Sequence, residues 1–424
     1  MFWLAPNARF RLYTRPSDYG HFLWTLLTGT AGTGDDIARL EREIETRYAV
    51  PHAICVAQGR VGIYLAVKAV ITPGHYVVMS PYTIADVVNM VICAGGVPVF
   101  ADIDRPTTNV TANTIEPLLA AGVGAVLVTH LHGLACDIEA IAALCKARGI
   151  PLIEDAAQAF GARVRGQAVG TFGDVGVFSF GMYKNVTAFY GGALVTKHDA
   201  VDRMVRAELA GAPGMPMGTL YTKVVKALVT DVVTAPLLFK SVVFWIFRFG
   251  HLHDIHAINR FVTVELDTSR KRALPDTYLR RFLPVQARMV LRQLARVDDD
   301  AAERIRYAKM YHEGLSGIPG LITPPFREDG THVYNYFPVQ HVRRDALVRW
   351  AMRQRRDMAV QHLKNCAGLP SFAPEYRDCP HAEQTAAQVV LLPNYPGYGE
   401  ASVRRNVDVI RQFCEHDLSR HGRV

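Results

Sequence analysis

The sequence predicts a doubly wound α/β fold, and three observations predict it. The run IPLIED is a short apolar strand ending in two carboxylates, Glu154 and Asp155. A second apolar run, VGVFSF, is followed by the turn-like GMY and then Lys184. Earlier in the chain, AICVAQGRVGIYLAVKAV reads as strand, glycine turn and helix in one unit. Strands that alternate with helices build such sheets, and their ligands bind beyond the carboxyl ends of the strands. Asp155 therefore stands where a charge is most useful.

Residues 1–34 read as an irregular lead-in with Gly-Thr repeats. Its apolar start is too short for a signal-peptide core and is interrupted by Pro6. Asp35 or Asp36 is then expected to cap a helix with Ile37, Leu40, Ile44 and Tyr48 on one face. In the strand–glycine–helix unit, the turn at Gln58, Gly59, Arg60 and Val61 aims backbone N–H groups and the helix dipole at an anion. HYVVMSPYTIADVVNMVICAGGVPVFADID reads as strand, helix, strand, and GAVLVTHLHGLACDIEAIAALCKARG as a further strand and helix. His130 and His132 alternate at that strand end and point to opposite sides. No third ligand stands at a metal spacing, so they read as pocket lining or core, and no metal is expected.

The later chain brings an apolar stretch, residues 219–275, rich in Val, Leu and Phe. Lys226, Asp231, Pro236 and Lys240 interrupt it, which argues against a membrane span. Two readings stay open. One is a helical pair packed on the body or in a dimer interface. The other is an amphipathic element, 222–250, lying on a membrane with Trp245 and Phe247 inserted and Lys240 and Arg248 near the headgroups. The triplet His251, His253 and His256 suits neither a helix face nor a zinc module and reads as structural. Next comes a long amphipathic helix, or two, with Leu283, Ala287, Val290, Leu291 and Leu294 on one side. THVYNYFPVQ reads as a strand and RDALVRWAMRQRRDMAV as a basic helix.

At 424 residues the chain is expected to hold two domains. Its formal net charge of +8 is spread out, with no nucleic-acid motif, so phosphorylated substrates or an anionic membrane surface fit it better than nucleic acid. Seven cysteines without a CxxC pair read as reduced thiols of a cytoplasmic protein.

The chemistry suggested by the residues is that of a lysine with an acidic partner. An amine held in a dry pocket has a lowered pKa and becomes a nucleophile. A carboxylate one strand away could keep a pyridinium nitrogen protonated, which is what pyridoxal phosphate chemistry needs. The plain alternative is a strand-end aspartate capping a helix and a solvated loop lysine.

The stretch Leu152 to Thr196 resembles the DegT/StrS sugar aminotransferases, a group of fold-type I pyridoxal phosphate enzymes. EDAAQAFGA, GTFGDVGVFSF, then KN and Gly191-Gly192 stand in that family's order. CPHAEQTAAQ and LPNYP resemble its later blocks. The resemblance implies a large domain with a mostly parallel seven-stranded sheet between helices, within residues 1–218. The apolar insertion, 219–275, and a smaller C-terminal α/β domain, 276–424, would follow. It implies that Lys184 carries the cofactor and later acts as general base, with Asp155 facing the pyridine nitrogen. Gln158 would lie near the ring oxygen, Ser179 and the Gly59–Arg60 turn would hold the phosphate, and Tyr82, Thr83 and Ile84 would lie near ring or sugar. Three departures stand out. Arg60 replaces a hydroxyl residue, Ile84 an aromatic one, and Tyr190 an acidic one before Gly191.

The implied reaction moves an amino group from an amino acid, glutamate or glutamine, to a keto sugar, nucleotide-linked, in a homodimer. Two other functions remain open at this stage: a pyridoxal phosphate lyase of the same fold, and a non-catalytic regulator or scaffold built on it.

Overall fold

The computed structural model describes residues 5–259 and 267–421. Residues 1–4 of the lead-in and 260–266 of the insertion lie outside the described residues. The apolar runs of the first half form one sheet. In chain order its strands are β1 (His52–Val56), β2 (Tyr76–Met79), β3 (Val97–Phe100), β4 (Val123–Thr129), β5 (Leu152–Asp155), β6 (Val175–Ser179) and β7 (Gly192–Thr196). In space they run β1-β7-β6-β5-β4-β2-β3. The strands from β6 to β3 are parallel, and β7 is reversed against both neighbours. Val56, Met79, Thr129, Asp155 and Ser179 therefore end at one edge, where Gly192 begins β7. The register sets Gly192 opposite Ser179 and Val56, and Asp155 opposite Thr129 and Val177. The sheet is buried on both faces, as its near-continuous apolar strands require.

The helices are α1 (Pro16–Leu27), α2 (Asp36–Tyr48), α3 (Gly59–Val70), α4 (Ala85–Cys93), α5 (Ile138–Arg148), α6 (Asp199–Ala210), α7 (Met217–Val233), α8 (Pro236–Leu252), α9 (Pro284–Leu294), α10 (Val297–Leu315), α11 (Arg344–Arg353), α12 (Pro380–Gln388) and α13 (Glu400–His421). Helix α1 corrects the expectation of an irregular lead-in. Pro16 opens it, the Asp18 carboxylate accepts the Arg15 N–H at 2.9 Å, and Phe22 and Thr25 are buried. Neither Asp35 nor Asp36 caps α2 with its side chain; Asp36 pairs with Arg288 of α9 at 2.7 Å instead. Leu40, Ile44 and Tyr48 are buried as expected. The long amphipathic stretch is two helices, α9 and α10, broken at Ala295 and Arg296.

A second sheet, antiparallel, is made of β8 (Leu321–Ile322), β9 (Phe337–His341), β10 (Ala359–Val360) and β11 (Val389–Leu392) in the order β8-β9-β11-β10. It shares a core with α10, α11 and α13 that also takes in Leu134 from the first half of the chain. Phe282, Val285, Met289 and Val290 still belong to the large core, so α9 packs on α1 and α2 before the chain enters the smaller body.

The insertion is a bent helical pair. Helix α7 buries Leu220, Val224 and Ala227. Helix α8 carries a π-turn at Phe239–Val243, where the Trp245 indole donates to the Lys240 carbonyl at 3.0 Å. Phe239 and Phe244 pack with Ala5, Ala8 and Met352. Trp245 and Phe247 lie against this cluster, and Arg248 donates to the Met352 carbonyl. Those three residues, which one of the two readings placed at a membrane, face the protein, as a helical pair packed on the body requires. A different set is exposed. Among the described residues no single helix is long and apolar enough to cross a membrane.

Candidate active site

The site gathers at the edge where the parallel strands end. Glu154 and Asp155 are adjacent on β5 and face opposite ways. The Glu154 carboxylate is fully buried and saturated. It accepts Gly170 N–H at 2.8 Å, Gly173 N–H at 2.7 Å and a bond from His130 Nε2 at 3.1 Å. His130 Nδ1 in turn accepts the Cys136 N–H at 3.0 Å, which places its ring proton on Nε2. Glu154 and His130 are thus framework. Asp155 is also buried but holds fewer donors: Ala157 N–H reaches Oδ1 at 3.0 Å. Burial pushes its carboxyl above the usual range, while Ala157 N–H and the positive charge of Lys184 pull it back.

Lys184 sits in the loop between β6 and β7, its N–H donating to Gly181 O at 3.1 Å. Burial draws its amine below the ordinary lysine value, Asp155 opposes that shift, and Arg60 adds to it. A Cβ on Gly181 would lie 3.4 Å from Ser179 Oγ and 3.9 Å from Lys184 Cγ, so the three residues share one small space.

Helix α3 begins at this edge without a side-chain cap. Its first N–H groups, at Gly59, Arg60 and Val61, precede the first intrahelical bond, which runs from Gly62 N–H to Gln58 O at 3.1 Å. A Cβ on Gly59 would sit 2.8 Å from the Ser179 Cβ, so glycine is required for the helix end to approach that serine. The uncapped N-terminus of a twelve-residue helix beside a hydroxyl is an anion cradle.

Arg60 contributes its backbone and its field more than its fork. Its guanidinium is paired with Asp86 of α4, lies 3.3 Å from the Tyr278 hydroxyl and stacks on that ring. Lys271 binds the same Asp86 at 2.9 Å. The Arg60 fork is thus taken up by Asp86 and Tyr278, which leaves the backbone of the Gly59–Arg60 turn facing the site. Gln158 holds the edge of the site through Oε1, which accepts the His132 N–H at 2.9 Å, leaving its amide nitrogen for a ligand. Thr83 is buried, and Ile84 is the half-buried residue that precedes α4. Tyr82 is fully buried, and its hydroxyl feels Arg344 rather than Lys184 or Asp155. Its side chain is core, and its backbone pairs with Asn365. Tyr190 stacks under Lys223 of α7, and its carbonyl accepts Gln286 of α9.

Two histidines converge here: His132, read from the sequence as pocket lining or core, and His362, which the sequence did not single out. His132 is fully buried at φ +59°, with neither ring nitrogen paired, and burial lowers its pKa to about 3. His362, from the loop after β10, acts on it, and burial followed by Lys184 lowers His362 to about 4. His362 lies almost 180 residues beyond Lys184, so no local signal could have linked them. Among the described residues no His, Cys, Asp or Glu group is arranged to hold a metal, and His251 and His253 pack in the insertion, His253 on Phe249.

A half-buried lysine whose pKa is lowered by desolvation, a buried carboxylate and an uncapped helix end at the carboxyl edge of a parallel sheet are the parts of an amine-transfer site. The sequence model of the DegT/DnrJ/EryC1/StrS aminotransferase family matches residues 15–224 and 270–411. The chain belongs to this family. The aminotransferase is 26% identical over 405 residues to the spore coat polysaccharide biosynthesis protein SpsC of Bacillus subtilis, covering 92% of each chain. It is 28% identical to a UDP-N-acetyl-3-dehydro-alpha-D-glucosamine 3-aminotransferase of Acidithiobacillus ferrooxidans, over 91% of this chain and 93% of the relative. Its fold matches the crystal structure of the aminotransferase TlmJ from Streptoalloteichus hindustanus at a TM-score of 0.73 and 23% identity, over 97% and 99% of the two chains. Residues 225–269 of the aminotransferase fall between the two matched blocks, and most of the exposed helical pair lies there.

Proposed function

We propose that this aminotransferase transfers an amino group from L-glutamate to a keto sugar carried on a nucleotide, with pyridoxal phosphate as cofactor. The observation that carries the proposal is the pairing of the desolvated Lys184 with the buried Asp155 beside the α3 N-terminus. The Gly59 cradle, which a Cβ would fill, and the hydroxyl of Ser179 fit a phosphate; Asp155 fits a protonated ring nitrogen; Lys184 fits the aldehyde carbon. The sugar and its nucleotide are supported by the relative named as acting on a UDP-linked keto sugar.

In this reading Asp155 would keep the ring nitrogen protonated, and Gln158 would meet the ring oxygen through its free amide nitrogen. The bound group supplies an electron sink for the bond broken at the donor carbon. Lys184, its pKa lowered by burial, would take the proton from that carbon and hold it for return. The division into a cofactor-binding body (1–218), an insertion (219–275) and a C-terminal part (276–424) belongs to the same proposal, with α9 crossing back onto the first body. So do a homodimer and a cytoplasmic location.

The test is the visible spectrum of the purified protein supplied with pyridoxal phosphate. A visible band that bleaches on addition of L-glutamate, and is missing in Lys184→Ala, is expected. A band indifferent to L-glutamate would exclude that donor, and no band at all would exclude the cofactor.

A further inference from the structure

Helices α7 and α8 meet at an angle of 53° and turn a continuous set of large apolar side chains to solvent. On α7 these are Tyr221, Val225, Leu228, Val229 and Val232, spaced three and four apart along one face. On α8 they are Leu238, Val242, Ile246 and Phe249 at the same spacing, with Leu237 at the corner. Val229 is 55% and Leu237 85% exposed. The inner faces of both helices are already packed, so this outer face is surplus to folding. A patch of this size on a folded chain marks a surface that meets something else.

The charges say what. From Met217 to Leu252 the sequence carries one acid, Asp231. Asp231 points inward, where it accepts the Tyr19 hydroxyl at 2.6 Å and the Thr14 hydroxyl and faces Arg11 at 3.7 Å. The outer face therefore bears no negative charge. It carries Lys226 and Lys240, neither of them paired with a carboxylate among the described residues. Nearby, α1 leaves Leu23, Trp24 and Leu27 exposed one turn and more beyond Tyr19, the residue that ties it to Asp231. An apolar face rimmed by unpaired lysines complements an anionic lipid surface. Interfaces common to the family would draw on the shared blocks, 15–224 and 270–411, whereas α8 and half of α7 lie between them.

We infer that the outer face of α7 and α8 docks the protein on an anionic membrane surface, without spanning it. The helix pair lies in the plane of the headgroups, with Val229, Leu237, Val242 and Ile246 in the acyl boundary and Lys226 and Lys240 at the phosphates. Helix α7 also touches the active-site loop, through Lys223 on Tyr190, so docking sets the site close to the lipid.

The test does not depend on catalysis and leaves the proposed reaction untouched. The full chain is sedimented with vesicles of phosphatidylcholine alone and of phosphatidylcholine with phosphatidylglycerol, and its mass in solution is measured by light scattering. The wild type is expected to pellet with the anionic vesicles. Val229→Glu combined with Leu237→Glu, both at exposed positions, is expected to stay in the supernatant with unchanged melting temperature and unchanged mass. Lys226→Glu combined with Lys240→Glu should lower vesicle partitioning by roughly tenfold or more. A wild type that ignores both vesicles overturns the inference, as does equal binding to both. Retention of binding by Val229→Glu/Leu237→Glu, or a halved mass in that variant, overturns it as well; the latter makes the face an interface between two copies.

Discussion

The carboxyl edge of the large sheet and the outer face of α7 and α8 depart from the usual arrangement in opposite ways. At the sheet edge, polar groups are buried with too few partners: Lys184 is desolvated, Asp155 is under-donated, and neither nitrogen of His132 is bonded. On the helix pair, apolar groups are exposed with nothing to cover them. Buried polar and exposed apolar surface are the informative exceptions in a folded chain. Each leaves free energy unclaimed until something binds. The sheet edge is completed by polar ligands, the helix pair by a surface. The contrast also shows inside one strand, where Glu154 is saturated and Asp155 is not.

That contrast can be broken by substitution. Glu154→Ala strands two backbone N–H groups and His130 in the core, and should cost about 3 kcal/mol or more in urea unfolding. Asp155→Ala should cost roughly 1 kcal/mol or less, because the Ala157 N–H and the Thr129 hydroxyl lose a partner while a desolvated carboxylate is removed. Equal losses would mean that the two carboxylates do the same job.

The buried histidines give a second, somewhat smaller effect. His332 is buried and accepts the Ala135 N–H at 3.1 Å, and burial lowers it to about 4. The unfolded chain protonates this ring as pH falls through about 6.5, whereas the folded chain resists until about 4. Stability contributed by the neutral ring is therefore present above pH 6.5 and lost on acidification. Between pH 7 and 4.5 the loss from this group should be about 2–3 kcal/mol. His332→Asn should flatten the acid limb by that amount in urea titrations at the two pH values, and an unchanged limb would contradict it. The smallest effect belongs to the exposed face. Leu228→Ser or Val232→Ser should change unfolding free energy by no more than about 0.5 kcal/mol in the absence of lipid.

Much of the frame was legible from local pattern. Seven apolar runs became seven strands, and the strand ends carrying Asp155 and Ser179 could be placed from their neighbours alone. Lys184, Gln158 and the Gly59 turn came from the order of blocks along the chain, since residue types alone left a plain alternative open. What could not be read was set by distant partners. Arg60 finds Asp86 and Tyr278, His132 meets His362, and Tyr82 is sealed in the core. The membrane reading of the insertion chose its inserted residues wrongly for a similar reason. Trp245 and Phe247 look interfacial, but the π-turn at Phe239–Val243 and the packing on Met352 rotate them inward. Helix α1 was hidden by its mixed composition, and its reason to exist is the burial of Phe22 against Phe189.

The reversed strand β7 has a consequence for the lysine. Because β6 ends and β7 begins at the same edge, residues 180–191 form a closed bight whose two ends are stitched together, Phe180 N–H to Gly191 O at 2.8 Å and Ala188 N–H to Phe180 O at 2.9 Å. Helix α9 then imitates a missing strand. Gln293 gives and takes a hydrogen bond at Thr187, to its carbonyl at 2.6 Å and from its N–H at 3.0 Å. A loop leading into a helix can swing on its last residue, but this one has no free end to swing on. The backbone entropy of holding the amine in place is spent when the chain folds, so each turnover starts from a lysine that has already stopped searching.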